Sequence, residues 1–501
     1  MTAATPSHIV PVSTPSPNAG LSTRSVTLPS ATLTVTEAMA KKNAPTTAKQ
    51  KGLGCVRTYE RMRRTPREKT PDCVPRSWWL TSTMRWSLPR AVAPVDVGTL
   101  SYARTSARGV ALKIIELRLF RVEGDGPAWA FEDRAVEALD LYPSHGTLSA
   151  GARSVPSALR ATYVEVVTDE GISGHYGPID PRQAFLIAHD LTPLLLGADP
   201  MATALLHDQM LRLNRHGRAG LFVNAISAVD NALWDLRGKV ANEPLYRLLG
   251  GPTRDRIPAY ASMLGHSVEP ERAATVALEH RDLGFGAQKW FFRHGPADGW
   301  QGLNANLAMA RSVREAVGPG YRLMFDAFMG WDETYASEML RGLEDVEPYW
   351  VEEPIPPERL SAFARLAASS RVRLATGEHA HTRWQVKELL DAGIGIVQTD
   401  QDWSGGITEQ LHICSLCSAY GVPLIAHGHA VPAALHVAAS QSPQTVPMIE
   451  YLVLIQERNQ FFQRTTYRPD AGSVAIPTAP GLGIDLDPDA IGERRELAFE
   501  A

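Results

Sequence analysis

The chain has 501 residues, of which 44% are hydrophobic and 21% are charged. These values are ordinary for a soluble globular protein, and they exclude a collagen-like chain, a wholly disordered chain and a polytopic membrane protein. No apolar run reaches the ~18 residues that a membrane helix needs. Four cysteines are too few to hold a chain of this length together by disulfides, so we expect a reducing, cytoplasmic location.

The net charge of −4 hides two regions of opposite charge. Residues 1–108 hold 16 Lys and Arg against 5 Asp and Glu, and the rest of the chain holds 34 against 49. Because residues 1–47 are rich in Ser, Thr, Ala and Pro and residues 49–90 are rich in Arg, we predict a disordered basic extension. Clustered cations can bind nucleic acid or a membrane surface, and an acid-poor start also fits a transit peptide. The composition favours a plain upstream extension, so no membrane or nucleic-acid partner is expected.

An α+β module is predicted between about residue 110 and residue 245. Its strands mix apolar and polar residues at short period, and its helices show a longer apolar repeat. The predicted elements are strands at 112–120 and 161–168, a Gly-, Ser- and Pro-rich loop at 138–155, and helices at 181–212 and 222–236.

After Arg256, short apolar runs alternate with helical segments at a regular interval. Strands that alternate with helices predict a parallel sheet, and eight such units over about 200 residues fit a (β/α)8 barrel better than an open sheet. The Gly- and Pro-rich stretch after Phe462 predicts a looped return instead of a barrel element. The eight predicted strands lie at 257–262, 287–292, 321–326, 349–352, 373–378, 396–400, 422–427 and 447–451.

Ionisable residues stand at the ends of six of these strands, each about one β/α unit after the last. Because the carboxyl ends of barrel strands converge on one mouth, these side chains should share a single pocket. A single acidic residue after a strand is usually only a helix cap, but a regular series is harder to explain in that way. The six residues are Asp326, Glu352, Glu378, Asp400, His427 and Glu450.

The first three residues of this series predict a metal site. Asp326, Glu352 and Glu378 would repel one another strongly unless a cation lay between them. Oxygen ligands without Cys or His favour a hard ion such as Mg²⁺ over Zn²⁺. In the pair Glu352-Glu353, strand alternation points one side chain inward, and we choose Glu352.

The next two residues of the series predict a general base. A carboxylate beside an imidazole orients the ring, fixes its tautomer and raises its basicity, which here pairs Asp400 with His427. His429 is a rival base, because alternation points it the same way as His427. The alternative for His427 is a structural histidine at the rim of the barrel.

Seven short motifs occur in order between residues 112 and 490. They are Asn224-Ala-Ile-Ser-Ala-Val-Asp230-Asn-Ala-Leu-Trp234-Asp235-Leu, Pro244-Leu-Tyr-Arg-Leu-Leu-Gly-Gly251, Phe325-Asp326, Val351-Glu352-Glu353-Pro354, Thr376-Gly377-Glu378-His379, Gln398-Thr-Asp400 and Ala426-His427-Gly428. As a set they resemble the enolase superfamily, in its mandelate racemase subgroup. The resemblance implies an α/β fold, a modified (β/α)7β barrel with an α+β capping domain. The implied division is an extension at 1–108, a capping domain at 109–245, the barrel at 246–462 and a return that packs on the capping domain at 463–501.

Within that subgroup the chain is most similar to acid-sugar dehydratases of the rhamnonate dehydratase kind. Three segments carry this similarity, namely His294–Gly299, Gly377–His379 and Asp402–Gly406. The resemblance implies that Mg²⁺ on the three predicted ligands holds the carboxylate of a sugar acid and stabilises the enediolate. The His427–Asp400 pair would take the α-proton and then protonate the departing β-hydroxyl, which gives a 2-keto-3-deoxy sugar acid.

One position separates this reaction from that of the two-base racemases. Racemases of the subgroup carry a Lys-x-Lys pair at the end of the second strand, whereas this chain has Lys289 followed by Phe291. Since an apolar ring cannot shuttle a proton, one-base chemistry is implied, with Lys289 as a cation beside the substrate carboxylate. The alternative for Lys289 is a lysine that snorkels from the strand. A racemase or epimerase of a 2-hydroxy acid is the alternative activity, and a non-catalytic barrel with a nucleic-acid-binding arm is another.

The resemblance also suggests residues around the chemical centre. Glu450 corresponds to the family's carboxylate on the last strand and is counted with the catalytic residues. Members of the family commonly assemble as multimers, so we expect a homo-oligomer. The substrate-binding candidates are Arg293, His294, Trp403 and His145.

Overall fold

A computed structural model describes residues 112–142, 154–155 and 158–499. The basic extension predicted at 1–108 lies outside the described residues, as does most of the predicted loop at 138–155. Among the described residues, no helix is both long enough and apolar enough to cross a bilayer.

The capping region is built on an antiparallel sheet. Strand pairing in this sheet joins β1 (Ile114–Asp125) and β4 (Ala158–Thr168) along their whole length, with Phe120 opposite Tyr163. Strand β5 (Ser173–Ile179) lies on the other side of β4. The two strands predicted here are present, and β1 extends five residues further than expected because the alternation of buried and exposed positions continues to Val122. The strands are β1 (Ile114–Asp125), β2 (Trp129–Ala130), β3 (Ser154–Val155), β4 (Ala158–Thr168) and β5 (Ser173–Ile179).

The helices of the capping region follow the sheet. The single helical pattern predicted at 181–212 is several pieces, with a π-helical turn at Ile187–Leu191 between the first two. Pro193 accounts for one break, since it has no N–H to donate within a helix. The helices are α1 (Pro181–Leu186), α2 (Thr192–Leu195), α3 (Thr203–Leu213), α4 (Leu221–Ala241) and α5 (Leu245–Leu248).

Seven parallel strands form the barrel sheet, in which the first six pair in chain order and the last pairs with the first. They confirm the predicted α/β barrel architecture, and each begins within two residues of its predicted position. The strands are β6 (Arg256–Ser262), β7 (Ala287–Phe291), β8 (Arg322–Asp326), β9 (Trp350–Glu352), β10 (Leu374–Thr376), β11 (Ile396–Val397) and β12 (Ile449–Leu452).

Helices connect these strands and cover the outside of the sheet. They supply the large apolar cluster that packs between helices and strands. The helices are α6 (Pro270–Asp282), α7 (Gly299–Val317), α8 (Glu333–Gly342), α9 (Leu360–Ser369), α10 (Thr382–Asp391), α11 (Gly406–Tyr420), α12 (Val431–Ser440) and α13 (Gln456–Asn459).

The strand predicted at 422–427 is the exception. This segment makes only one parallel bridge, between Leu424 and Val397, so the prediction of a seventh strand there is wrong. Pro423 has no N–H to extend the ladder. The segment still follows the barrel, because one residue from each of the eight predicted strands fills its interior. That buried layer is Tyr260, Ala287, Met324, Trp350, Ala375, Ile396, Ile425 and Met448.

The C-terminal part of the chain returns to both sheets. Strand β13 (Ser473–Ala475) pairs antiparallel with the start of β6, and β14 (Glu493–Glu496) pairs antiparallel with β1. Phe462 packs with Phe120 and Tyr163 in a separate apolar cluster on the capping sheet. Short 3₁₀ turns lie at Ala138–Leu141, Pro296–Asp298 and Pro488–Ala490.

Helix α4 connects the capping region to the barrel through buried hydrogen bonds. Its partner is the segment 401–408 after β11, which we call the sixth loop. The Asp230 carboxylate accepts hydrogen bonds from the backbone N–H and the hydroxyl of Thr408, at 2.8 and 2.6 Å. Asn231 donates to the carbonyl of Gln401 at 3.0 Å. Since these groups are buried, α4 fixes where the sixth loop lies.

Asp230→Ala should lower the free energy of unfolding by about 2–4 kcal/mol, because it leaves two buried donors of Thr408 unpaired. Urea denaturation followed by circular dichroism measures this change. The control is Asp208→Ala, which removes an exposed carboxylate on α3 and should leave the free energy of unfolding nearly unchanged. Equal midpoints for the two variants would show that α4 does not hold the sixth loop in this way.

Candidate active site

A cavity of about 300 Å³ opens at the carboxyl ends of the barrel strands. Four of the six ionisable residues in the predicted series line it, and Lys289 lies beside them. The other two, Glu352 and Asp400, are buried behind the wall, where they contact Lys289 and His427. The residues of the series in the wall are Asp326, Glu378, His427 and Glu450. The strand ends therefore bring the predicted series together.

Lys289 is the cation at the centre of this cluster. Its side chain extends from β7 into the barrel and is only 1% exposed, so it does not snorkel to solvent. Its ammonium lies 2.6 Å from Glu352 Oε1, 2.9 Å from Glu450 Oε1 and 3.3 Å from Asp326 Oδ2. Burial alone would lower the pKa of Lys289, but the charges of Glu352 and Glu450 raise it well above its usual value. The ammonium is therefore a permanent positive charge.

One ammonium does not balance the carboxylates around it. Burial and the charges of neighbouring carboxylates raise the pKa of Asp326 to about 6 and that of Glu352 to about 8. Burial, together with Glu353 and Glu352, raises the pKa of Glu378 to about 7. Excess negative charge among oxygen donors suits a hard divalent cation, so the residues present fit Mg²⁺.

Glu450 differs from the other carboxylates of the cluster. Burial would raise its pKa, but the charges of Lys289 and His427 lower it to about 2. Its Oε2 accepts a hydrogen bond from the backbone N–H of Gly428 at 2.9 Å. Glu450 therefore joins Lys289 on β7 to the segment that carries His427.

The Glu352-Glu353 pair places one carboxylate behind the cavity wall and the other in the wall. Glu352 points inward as alternation predicts, and it accepts hydrogen bonds from Lys289, from Trp350 Nε1 and from Gln398 Nε2. Glu353 has a φ of 36°, outside the range of strands, and its side chain lines the cavity. Ligand atoms of Glu353, Glu378 and His379 lie within 4.8 Å of one another. Sequence reasoning did not single out Glu353 or His379 as ligands.

The predicted general base and its carboxylate are in contact. His427 Nδ1 lies 3.2 Å from Asp400 Oδ2, and its Nε2 lies 3.6 Å from Glu378 Oε2. Burial would lower the pKa of His427, but Glu378 and Asp400 raise it to about 10. The ring stacks on Trp403 with 4.9 Å between ring centroids. Asp400 therefore fixes the ring with Nε2 toward the carboxylates of the cavity.

A second imidazole and carboxylate lie beside the first pair. His429 Nδ1 contacts Asp402 Oδ2, and the hydroxyl of Tyr176 donates to Asp402 Oδ1. Sequence reasoning considered His429 but missed its link to Asp402. The signal was present, because the two acids and the two histidines are each spaced two residues apart.

The predicted substrate-binding residues separate into three groups. Trp403 lies in the wall of the cavity. Arg293 and His294 line a different cavity of about 340 Å³, where Arg293 Nε lies 3.9 Å from Asp133 Oδ1. The structure does not bring these two residues to His427, so their role in substrate binding stays a prediction. His145 lies outside the described residues.

A larger cavity of about 650 Å³ adjoins the site between the capping region and the barrel. The two cavities share His379, Trp403 and His429 as lining residues. Polar side chains from both regions line the larger one, among them Asp180 and Arg458. The site therefore continues into a second space whose wall is part polar and part apolar.

Two family profiles match this chain in the order that the fold suggests. The N-terminal domain of mandelate racemase / muconate lactonizing enzymes matches residues 147–250, and the enolase C-terminal domain-like profile matches residues 272–490. The chain belongs to the mandelate racemase / muconate lactonizing enzyme family. L-rhamnonate dehydratase from Saccharopolyspora erythraea is 32% identical over 404 residues, which cover 75% of this chain and 97% of the relative.

Solved structures of the mandelate racemase family share this fold. Rhamnonate dehydratase from Gibberella zeae, complexed with Mg, has a TM-score of 0.66 and 29% identity, over 75% of this chain and 95% of that one. A mandelate racemase/muconate lactonizing protein from Paracoccus denitrificans, complexed with magnesium, has a TM-score of 0.62 and 27% identity, over 77% and 99%. The predicted family is thus confirmed, and both of these solved structures are complexed with magnesium.

Removing one carboxylate from the cluster should weaken Mg²⁺ binding. We expect Glu378→Gln to raise the dissociation constant at least about tenfold, because hard cations depend on charged oxygen ligands. Isothermal titration calorimetry with MgCl₂ measures the constant. The control is Glu358→Gln, which removes an exposed carboxylate near the barrel rim and should leave binding unchanged.

Glu352→Gln and Glu353→Gln, titrated in the same way, identify the ligand in the Glu-Glu pair. We expect the larger loss from Glu352→Gln, since its side chain lies beside Asp326 and Lys289. A larger loss from Glu353→Gln would move the assignment to the carboxylate at the rim.

Proposed function

We propose that this protein is a Mg²⁺-dependent sugar-acid dehydratase, a hydro-lyase that converts an aldonate or aldarate to a 2-keto-3-deoxy sugar acid. The observation that carries the proposal is His427, which Asp400 holds from behind and which shares one cavity with Lys289 and several carboxylates. The similarity to L-rhamnonate dehydratase over nearly the whole of that protein supports the same reaction class.

The carboxylate cluster is proposed to hold the cofactor. We assign Asp326, Glu352 and Glu378 as the ligands of Mg²⁺. When bound, the ion supplies a Lewis acid that spreads the negative charge developing on the substrate carboxylate. Lys289, whose buried ammonium contacts Glu352, is proposed to hold the same substrate carboxylate by charge. Glu450 positions Lys289 from β12.

His427 is proposed to take the α-proton of the substrate at Nε2. Asp400 accepts a hydrogen bond from Nδ1, so Nε2 is the nitrogen left to exchange protons with the substrate. Removal of the α-proton leaves an enediolate, which expels the β-hydroxyl. That hydroxyl leaves as water only if a proton donor on the cavity wall protonates it.

Phe291 favours a dehydratase over a racemase. It lies at the end of β7, lines the cavity and packs against Phe328 with 6.3 Å between ring centroids. Its ring lies 5.3 Å from the ammonium of Lys289. A racemase needs a second group that exchanges a proton with the α-carbon, and an apolar ring does not supply one.

The adjoining 650 Å³ cavity favours a sugar acid over a small 2-hydroxy acid. Its polar lining includes Asn224 and Asn459, whose amides suit the hydroxyl groups of a polyol chain.

We further infer that the enzyme is cytoplasmic and assembles as a homo-oligomer. We expect no nucleic-acid partner. The two described cysteines, Cys414 and Cys417, are free and buried, which suits a reducing compartment.

The direct test is a panel of aldonic and aldaric acids, including L-rhamnonate, assayed for 2-keto-3-deoxy products with MgCl₂ or with EDTA. We expect turnover of at least one acid with MgCl₂ and none with EDTA. Exchange of the α-hydrogen in D₂O without any keto product would instead favour the racemase or epimerase alternative.

His427→Asn should lower kcat for dehydration by about 10²–10⁴-fold, because it removes the base. Mg²⁺ binding and the melting temperature should stay near wild type, since the substitution leaves the carboxylates in place. The matched control, His412→Asn, changes an exposed histidine on α11 and should leave kcat unchanged. Turnover retained by His427→Asn would move the base to His429.

A further inference from the structure

We propose that His429 is a second catalytic residue, the acid that protonates the departing β-hydroxyl while His427 takes the α-proton. Asp402 and Tyr176 are its positioning residues. This inference rests on the proposed dehydratase function, and it replaces the single-histidine scheme that the family resemblance implies.

The two histidines are held in the same manner. His427 and His429 each present Nδ1 to a buried carboxylate, Asp400 for the first and Asp402 for the second. Among the described residues, Nε2 of His429 has no hydrogen-bond partner, and the side chain is 31% exposed toward both cavities. An imidazole fixed at Nδ1 and open at Nε2 is the arrangement that general acid catalysis needs.

Asp402 is anchored from the capping region as well. The buried hydroxyl of Tyr176, on β5, donates to one oxygen of Asp402, and His429 contacts the other. Burial would lower the pKa of His429, but Asp402 and Asp400 raise it above its usual value. The capping region thus fixes the carboxylate that holds Nδ1 of the His429 ring.

Trp403 places both histidines on one wall. Its ring lies 4.9 Å from that of His427 and 5.4 Å from that of His429, measured between centroids. Both imidazoles also line the 300 Å³ cavity. A base and an acid on the same wall serve an elimination in which the α-hydrogen and the β-hydroxyl leave from one face of the substrate.

The proton balance of this scheme closes without another reactant. The α-proton moves to His427, the bond from the β-carbon to oxygen breaks, and the proton of His429 joins the hydroxide to form water. The resulting enol becomes the ketone when His427 returns its proton to the β-carbon. The proton that the enol hydroxyl releases passes through water and restores His429, which the larger cavity leaves open to solvent.

The ring of His429 is not needed to hold its own segment. The backbone N–H of His429 donates to Asp400 at 3.2 Å. Its carbonyl accepts hydrogen bonds from the side-chain amides of Gln456 and Asn459, each at 3.2 Å. All three bonds use main-chain atoms of His429, so they stay when its ring is replaced.

His429→Gln separates the acid from the base. The probes are the fastest acid of the panel, L-rhamnonate first, and its 3-deoxy-3-fluoro analogue, because fluoride leaves with little help from a proton. We expect loss of the hydroxyl to slow by about 10²–10⁴-fold, while fluoride release and α-hydrogen exchange in D₂O stay within about threefold of wild type. His412→Gln is the matched control and should change none of the three rates.

Several results would overturn this assignment. If His429→Gln slows all three rates equally, the ring only positions other groups, and if it slows none, His427 performs both transfers. If His429→Gln does not fold, Asp402→Asn replaces it and should slow hydroxyl loss more than fluoride release. Wild-type protein that neither exchanges the α-hydrogen nor releases fluoride would refute the dehydratase itself, and this inference with it.

Discussion

The active site depends on the polar contact between helix α4 and the sixth loop. Ser227, Asp230, Asn231 and Trp234 lie on one face of a buried helix, and each forms a hydrogen bond with that loop. The loop approaches so closely that a side chain on Gly406, which has a φ of 84°, would clash with the Asp230 carboxylate. Hydrogen bonds that are both buried and satisfied specify one arrangement, so the helix sets the position of every group that the loop carries.

The barrel contributes a different constraint, which is electrostatic. A single buried ammonium, that of Lys289, contacts carboxylates from β8, β9 and β12. Taking so many charges out of water is costly unless they are paired, and one cation is too few for the acidic groups present. The fold therefore builds a region of negative potential at the barrel mouth, with one fixed positive charge inside it. Such a region attracts a divalent cation and still has a group to receive an anionic substrate.

Much of this arrangement could be predicted from the sequence because barrel strands repeat at a regular interval. That period places Asp326, Glu378 and His427 at one mouth of the barrel. The alternation of side chains along a strand no longer predicts their direction once the strand ends. Glu353 comes directly after β9 and has a positive φ, so alternation does not predict where its side chain points. The contact between Tyr176 and Asp402 joins residues 226 positions apart, which no local pattern reports.

The antiparallel pairing of β1 with β14 has a consequence for how the protein is made. Strand β14 holds some of the last residues that the structure describes, and it pairs with the first described strand. Chains emerge from the ribosome N-terminal end first, so the edge of β1 stays unpaired until the residues of β14 have been made. An unpaired strand edge is a template for association with other chains. The capping sheet is thus exposed to intermolecular pairing throughout translation, and slow elongation or truncation near the C-terminus would prolong that exposure.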